Sequence, residues 1–169
     1  MGGAVGYRGN TTPTAEWNFW VDPHAAADAL AHAPAPVTLC SLEVTEQFLV
    51  DPPRLDRLVS DLGPTRFAEH LPEILRFYFE FHQAQGEGYQ AQIHDLLTCM
   101  IAVETVRYGQ RGVQVDVDTQ GERRGTSFRD AGGGEHPPGH LSRHRRCPRG
   151  ADPRGPCAKV ISESLPEVT

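Results

Sequence analysis

Along the first 110 residues the hydrophobic period keeps changing, from the solid or alternating apolar run of a strand to the 3.6-residue spacing of a helix. Asp22-Pro23 reads as a helix start, with the proline in the first turn. The alanine-rich run over 24–33 that follows is stopped by Pro34 and Pro36. Residues 37–44 (VTLCSLEV) are mostly apolar and β-branched, which predicts a buried parallel strand, and Thr45 is placed to cap the turn after it. Asp51 caps a helix over PPRLDRLVSDL, with Leu55, Leu58, Val59 and Leu62 at helical spacing and Gly63-Pro64 at its end. A longer helix is expected over 65–85, with Phe67, Leu71, Ile74, Leu75, Tyr78 and Phe81 along one face. Pro72 inside it predicts a kink or a split. Ile93-His94-Asp95 leads into LLTCMIAVE, expected as a buried helix. Residues 113–119 (VQVDVDT) alternate like a half-exposed strand, Gln120-Gly121 turns the chain, and 124–130 return as the second arm of a hairpin. Strand and helix in alternation predict an α/β layered fold, with the hairpin at an edge.

Composition limits the function classes. At 169 residues and 18.6 kDa the chain has room for one ordinary domain. An apolar fraction of 38 % beside 22 % charged residues argues against wholesale disorder. No run of apolar residues is long enough to span a bilayer, and MGGAVGYRGN has no apolar signal core. Cys40, Cys99, Cys147 and Cys157 form no C-x-x-C pair, so a reduced, cytoplasmic protein is expected. The first 130 residues carry ten arginines against eighteen acidic residues. So acidic a body argues against nucleic acid as a partner, and nothing here points to a membrane.

Residues 131–169 differ from what precedes them. Over 131–157 the chain is dominated by Gly, Pro, Arg and His, and Leu141 is its sole large aliphatic. Such a stretch cannot offset the entropy of being ordered, so the domain is expected over 1–130 and an irregular tail over 131–169. His136, His140, His144, Cys147 and Cys157 are zinc-ligand residue types. Pro137-Pro138-Gly139 breaks the helix that would align the first two, and the tail's composition accounts for the set.

Two groups of residues could carry chemistry. Asn10, Glu16 and Asn18 fall within nine residues, interleaved with Trp17, Phe19 and Trp20. Paired donors and acceptors beside aromatic rings suit a sugar; a capped, solvated loop before a helix has the same residues. His94-Asp95 suits a metal-ligating carboxylate next to a general acid. A helix cap beside a surface histidine would read identically.

The stretch MGGAVGYRGNTTPTAEWNFWVDPHAAADAL resembles the central signature of the inosine–uridine-preferring nucleoside hydrolase family. There M-G-G is followed by G-N-x-T-P-x-A-E-[FW]-N and then by D-P-x-A-A. Q-I-H-D-L-L-T stands where the family has its second signature, and the V-x-V strand with R-G-T near Arg124 is similar to its later hairpin. The resemblance spans about residues 1–130. It implies part of a Rossmann-like nucleoside hydrolase fold, a mixed and mostly parallel sheet with helices on both faces. It implies hydrolysis of the N-glycosidic bond of purine or pyrimidine ribonucleosides to ribose and free base.

By the same resemblance Asn10 and Glu16 hold the 5′-hydroxyl end of the ribose and Asn18 its lower hydroxyls. Asp95 is implied as a Ca2+ ligand that also contacts a ribose hydroxyl, and His94 as the residue that protonates the departing base. The purine-specific branch has tryptophan at that position, so the histidine points to the inosine–uridine-preferring or broad-specificity branch. All four ribose-binding residues should then meet in space, and a homo-oligomer is implied. The family's N-terminal D-T-D-x-G-x-D-D cluster, which supplies most calcium ligands and the water-activating base, has no counterpart in these residues. The chain resembles the C-terminal portion of the domain, and on its own is expected to hydrolyse nucleosides negligibly. The alternative expectation is a non-catalytic remnant that binds ribose weakly or acts as an interaction protein.

Overall fold

The computed structural model of the chain describes residues 1–129 and 158–161. Along the sequence run α1 (Trp17–Val21), α2 (Pro23–His32), β1 (Thr38–Leu39), α3 (Leu42–Thr45), β2 (Leu49–Val50), α4 (Pro52–Leu62) and α5 (Arg66–Ala84). After them come β3 (Ala91–Gln92), α6 (His94–Ala102), β4 (Gln110–Val113), β5 (Val115–Val117), β6 (Ser127–Arg129) and β7 (Ala158–Ile161). These elements fall into two compact units: Met1–Val44 with the described residues from Met100 onward, and Thr45–Cys99.

The first unit is built on a mixed three-stranded sheet in the order β1-β7-β4. β7 runs parallel to β1, with Leu39 opposite Val160, and antiparallel to β4, with Val113 opposite Ala158. β5 and β6 form a separate antiparallel hairpin, with Asp116 opposite Phe128. Val5, Phe19, Leu39, Val115, Val117 and Val160 make the core, and α2 lays Ala26, Ala27 and Leu30 against it. The start of α2 follows the expected chemistry. Pro23 sits in the first turn, and the Asp22 carboxylate accepts from Ala25 N at 2.9 Å.

Three expectations change in this unit. Most of the stretch 37–44 is buried from Leu39 onward, but only Thr38–Leu39 is strand, because the backbone beyond it pairs with the glycines at the start of the chain. Gly2 N donates to Cys40 O at 3.1 Å and Leu42 N to Gly3 O at 2.9 Å, after which the chain coils into α3; Thr45 ends that helix, and its carbonyl accepts from Phe48 N at 3.1 Å to close the turn that follows. The stretch 113–119 breaks at Gln114 into β4 and β5, which join different sheets. All of β5 is buried, Asp116 included, so its alternation does not mark a solvent face. Finally, Ala158–Ile161, assigned to the irregular tail, is the central strand of the sheet. Four residues among Gly and Pro carry almost no local signal, and partners on both sides supply what the local sequence does not. The rest of the tail, with His136, His140, His144, Cys147 and Cys157, lies outside the described residues.

The second unit packs α4 and α5 together over the antiparallel pair β2–β3, in which Leu49 faces Gln92 and Val50 faces Ala91. Its core is Val50, Leu55, Leu75, Phe79 and Ala91, with Val59, Leu71 and Ile93 packed against it. Asp51 caps α4 by accepting from Arg54 N at 2.9 Å, and Thr65 caps α5 by accepting from Ala68 N at 3.2 Å. α5 runs unbroken through Pro72. The ring removes one ladder bond, and the packed residues Leu75 and Phe79 follow it directly.

The buried face of α5 is the expected one only in part. Leu75 is inside and Leu71 packs against the core as expected, but Ala68, Phe79 and His82 join them, while Phe67, Ile74, Tyr78 and Phe81 are half-exposed or more. Apolar residues cover more than half of this helix's circumference, so periodicity alone does not say which side meets α4 and β3. α6 is likewise only half buried: Leu97 and Ile101 are inside and Leu96 is exposed.

Candidate functional site

In the first unit the Asn10–Asn18 lip is a folded loop. Gly9 N donates to Pro13 O and Thr11 N to Ala15 O, and the Thr12 hydroxyl accepts from Ala15 N at 3.0 Å. A Cβ on Gly9 would run into the backbone of Thr12 and Ala15, so glycine is required there for close approach. The hairpin holds this loop from behind. Ala15 bridges Thr126, the Thr14 and Thr126 hydroxyls lie 2.7 Å apart, and Ala4 N donates to Ser127 Oγ at 2.8 Å. Arg124 donates to the Trp20 and Val21 carbonyls at the end of α1, with its guanidinium over the Trp20 ring.

The three polar residues of the lip meet around the start of α1, each with a different surrounding. Glu16 is 2 % exposed. One carboxylate oxygen accepts from Gly3 N at 2.8 Å and Phe19 N at 3.3 Å, and the other from Asn18 N at 2.8 Å. That is an N-cap that also ties the chain start to α1. Asn10 is exposed, and its Oδ1 accepts from Trp17 N at 2.9 Å. Asn18 is exposed, and its amide donates to Met1 O at 3.4 Å. Trp17 and Trp20 stack beside them with ring centres 5.8 Å apart, Trp17 being 56 % exposed. Two exposed amides beside an exposed indole can donate and accept toward sugar hydroxyls.

In the second unit His94 and Asp95 open α6. The helix begins at His94, so Asp95 lies inside its first turn, with its exposed carboxylate favoured there by the helix dipole. His94 is partly buried, and its Nδ1 lies 2.8 Å from the hydroxyl of Thr45. The β2–β3 ladder brings these two together across 49 positions: it continues into a 3.1 Å bond from Ile93 N to Phe48 O, one residue before His94. Thr45, Arg124 and Ser127 were not singled out from sequence as site residues. For Arg124 a signal existed in the R-G-T run, whereas Thr45 and Ser127 acquire their roles only through pairing.

The described residues do not fit a complete calcium site. Calcium takes six to eight oxygen ligands. Asp95 offers one exposed carboxylate, and among the described residues no group of three or more His, Cys, Asp or Glu side chains converges.

A family model described as inosine-uridine preferring nucleoside hydrolase matches residues 1–161, thirty residues further than the sequence signatures reach and through the end of β7. The pyrimidine-specific ribonucleoside hydrolase RihA of Shewanella sp. strain MR-7 is 34 % identical over 123 residues, 72 % of this chain and 37 % of that protein. The RihA of Photobacterium profundum is 31 % identical over 122 residues, 72 % and 38 % of the two chains. Among solved structures, a plant nucleoside hydrolase superposes with a TM-score of 0.72 at 23 % identity, over 96 % of this chain and 47 % of that one. A purine-preferring ribonucleoside hydrolase from Gardnerella vaginalis gives 0.70 at 25 %, over 95 % and 45 %. The chain thus spans little more than a third of these curated relatives and under half of these solved chains.

Proposed function

The chain belongs to the inosine–uridine preferring nucleoside hydrolase family, and on that footing we propose that it carries the sugar-gripping and base-protonating parts of a site that hydrolyses ribonucleosides to ribose and free base. The observation that carries this reading is His94 at the head of α6, its Nδ1 held by Thr45 and Asp95 beside it. Cleavage breaks the C1′–N bond, and its electron pair goes to the base. A proton from His94 neutralises the base as it leaves, and a water molecule bonds through its oxygen to C1′ and releases one proton to solvent, leaving the ribose 1-hydroxyl. Asn10 and Asn18 grip ribose hydroxyls, with Glu16 behind them fixing the loop, and Asp95 takes a further hydroxyl.

Ca2+ belongs to the proposal through Asp95 alone, and no step runs through it, because the other carboxylates it needs are absent from the described residues. Hydrolysis by these 169 residues alone is therefore proposed to be negligible. The names of the relatives span pyrimidine-specific and purine-preferring hydrolases, so both base classes are substrates to test, and purine nucleoside catabolism is one setting the reading covers. The exposed apolar residues of α5 support association of copies of the chain.

The test is reducing-sugar release from uridine and inosine at neutral pH. It compares the 169-residue chain with a fusion that places a segment carrying the D-T-D-x-G-x-D-D cluster before Met1. The chain alone should release nothing above background. The fusion, once shown to unfold cooperatively, should turn over, and Asp95→Ala should abolish that turnover. His94→Ala should slow inosine by about 10²–10⁴-fold, the usual contribution of a general acid. Turnover by the short chain would remove the claim that it lacks essential groups. A folded but inactive fusion would favour the sugar-binding remnant.

A further inference from the structure

We infer that Thr45 is a positioning residue for His94: its hydroxyl fixes which imidazole nitrogen exchanges the proton. This rests on the reading of His94 as the group that protonates the departing base. Thr45 is fully buried and ends α3, so its hydroxyl is held by packing on every side. The β2–β3 pairing and the Ile93–Phe48 bond fix where α6 begins relative to it. Its Oγ1 then lies 2.8 Å from His94 Nδ1, a good length for a hydrogen bond.

The chemistry decides which partner donates. An imidazolium carries protons on both nitrogens and can only donate, so against protonated His94 the Thr45 oxygen accepts from Nδ1–H. If the same bond persists after the proton has gone to the base, the proton given up is the one on Nε2. The neutral ring left behind is the Nδ1–H tautomer, held in the orientation it had before transfer. No ring rotation is then needed between the two states. Valine has the shape of threonine without the hydroxyl and removes this bond, while serine keeps it.

Two-dimensional proton–nitrogen NMR of the full chain labelled with ¹⁵N-histidine reads the tautomer directly, with the His94 signals assigned from their loss in His94→Gln. In the unsubstituted chain with the His94 ring neutral, Nδ1 should resonate as the protonated nitrogen and Nε2 as the bare one. Thr45→Val should move His94 toward the Nε2–H tautomer, and Thr45→Ser should leave it unchanged. Signals of His82, whose Nδ1 is held by Glu87, report whether the fold survives each substitution. An Nε2–H tautomer in the unsubstituted chain overturns the inference without need of any variant. So does an Nδ1–H tautomer that persists in a folded Thr45→Val. If the tautomer behaves as expected while His94→Ala leaves turnover of the fusion intact, Thr45 still positions the ring, and it is the catalytic reading of His94 that fails.

Discussion

Two glutamates in the first unit show how position sets what a carboxylate does. Glu16 is buried but meets three backbone N–H groups, each contributing a charge-assisted bond. Glu43 on α3 is partly buried, and burial pushes its pKa above the ordinary 4.5, despite hydrogen bonds at its own backbone, at Ser41 and at Val5 and the attraction of Arg129. In the unfolded chain Glu43 releases its proton near 4.5, and in the fold it does so only at higher pH. Across that window the native state binds more protons, so stability falls as pH rises and the loss is complete above the folded value. Glu43→Gln removes the penalty. Its urea midpoint should match that of the unsubstituted chain below about pH 4.5, and exceed it increasingly as pH rises toward neutrality. A difference that stays constant between about pH 4 and 8 would assign the effect of the substitution to packing. Local polarity does not separate these two residues, since both are glutamates in runs of mixed polarity, and only the donors around each decide between a cap and a penalty.

At the scale of elements, the longer helices were legible, the short α1 and α3 were not, and the strands were legible only in part. Asp22, Asp51 and Thr65 announce α2, α4 and α5 because capping is a local bond, closed within three residues of the cap. β1 and β7 contribute short pieces whose strand state depends on partners far away in sequence, so the local pattern makes 37–44 too long a strand and 158–161 none. The face of α5 was legible only in part, through Leu71 and Leu75, for another reason: a helix with aromatics at 67, 77, 78, 79 and 81 is apolar over a wide arc, and only packing chooses within it. Phe79 is 3 % exposed in the core and Phe77 is 69 % exposed two residues earlier. Phe79→Ala should therefore destabilise the chain by about 3–5 kcal/mol, the range for emptying an aromatic from a core. Phe77→Ala should stay within about 0.5 kcal/mol. Chemical denaturation of both variants checks this, and equal losses would mean that Phe77 is packed as closely as Phe79.

Over the whole molecule, the family could be read from two motifs, because GNTTPTAEWN and IHDLLT are long strings of chemically particular residues. The way those residues are held was not readable. Ser127 and Thr126 grip the lip from more than a hundred residues away, and Thr45 reaches His94 through a ladder two residues long. The same scale carries a consequence for behaviour in solution. Phe67, Ile74, Phe77, Tyr78 and Phe81 of α5 are each between 46 % and 69 % exposed, and they lie on one helix. Scattered apolar residues are ordinary on a protein surface, but five large ones on a single helix form a continuous patch of the kind that meets another surface. Water against that patch is displaced favourably by any apolar partner, at roughly 25 cal/mol per Å² covered. The 169-residue chain should therefore enhance the fluorescence of an apolar dye such as anilinonaphthalene sulfonate under native conditions, and sediment faster as its concentration rises. Ile74→Lys with Phe81→Lys places two charges within the stripe without touching Leu75, Phe79 or the other core residues. It should cut dye binding severalfold and bring sedimentation back to a single slow species, with the urea midpoint little changed. A chain that neither binds dye nor self-associates would mean that the stripe is already covered, and the assignment of the α5 faces would have to be reversed.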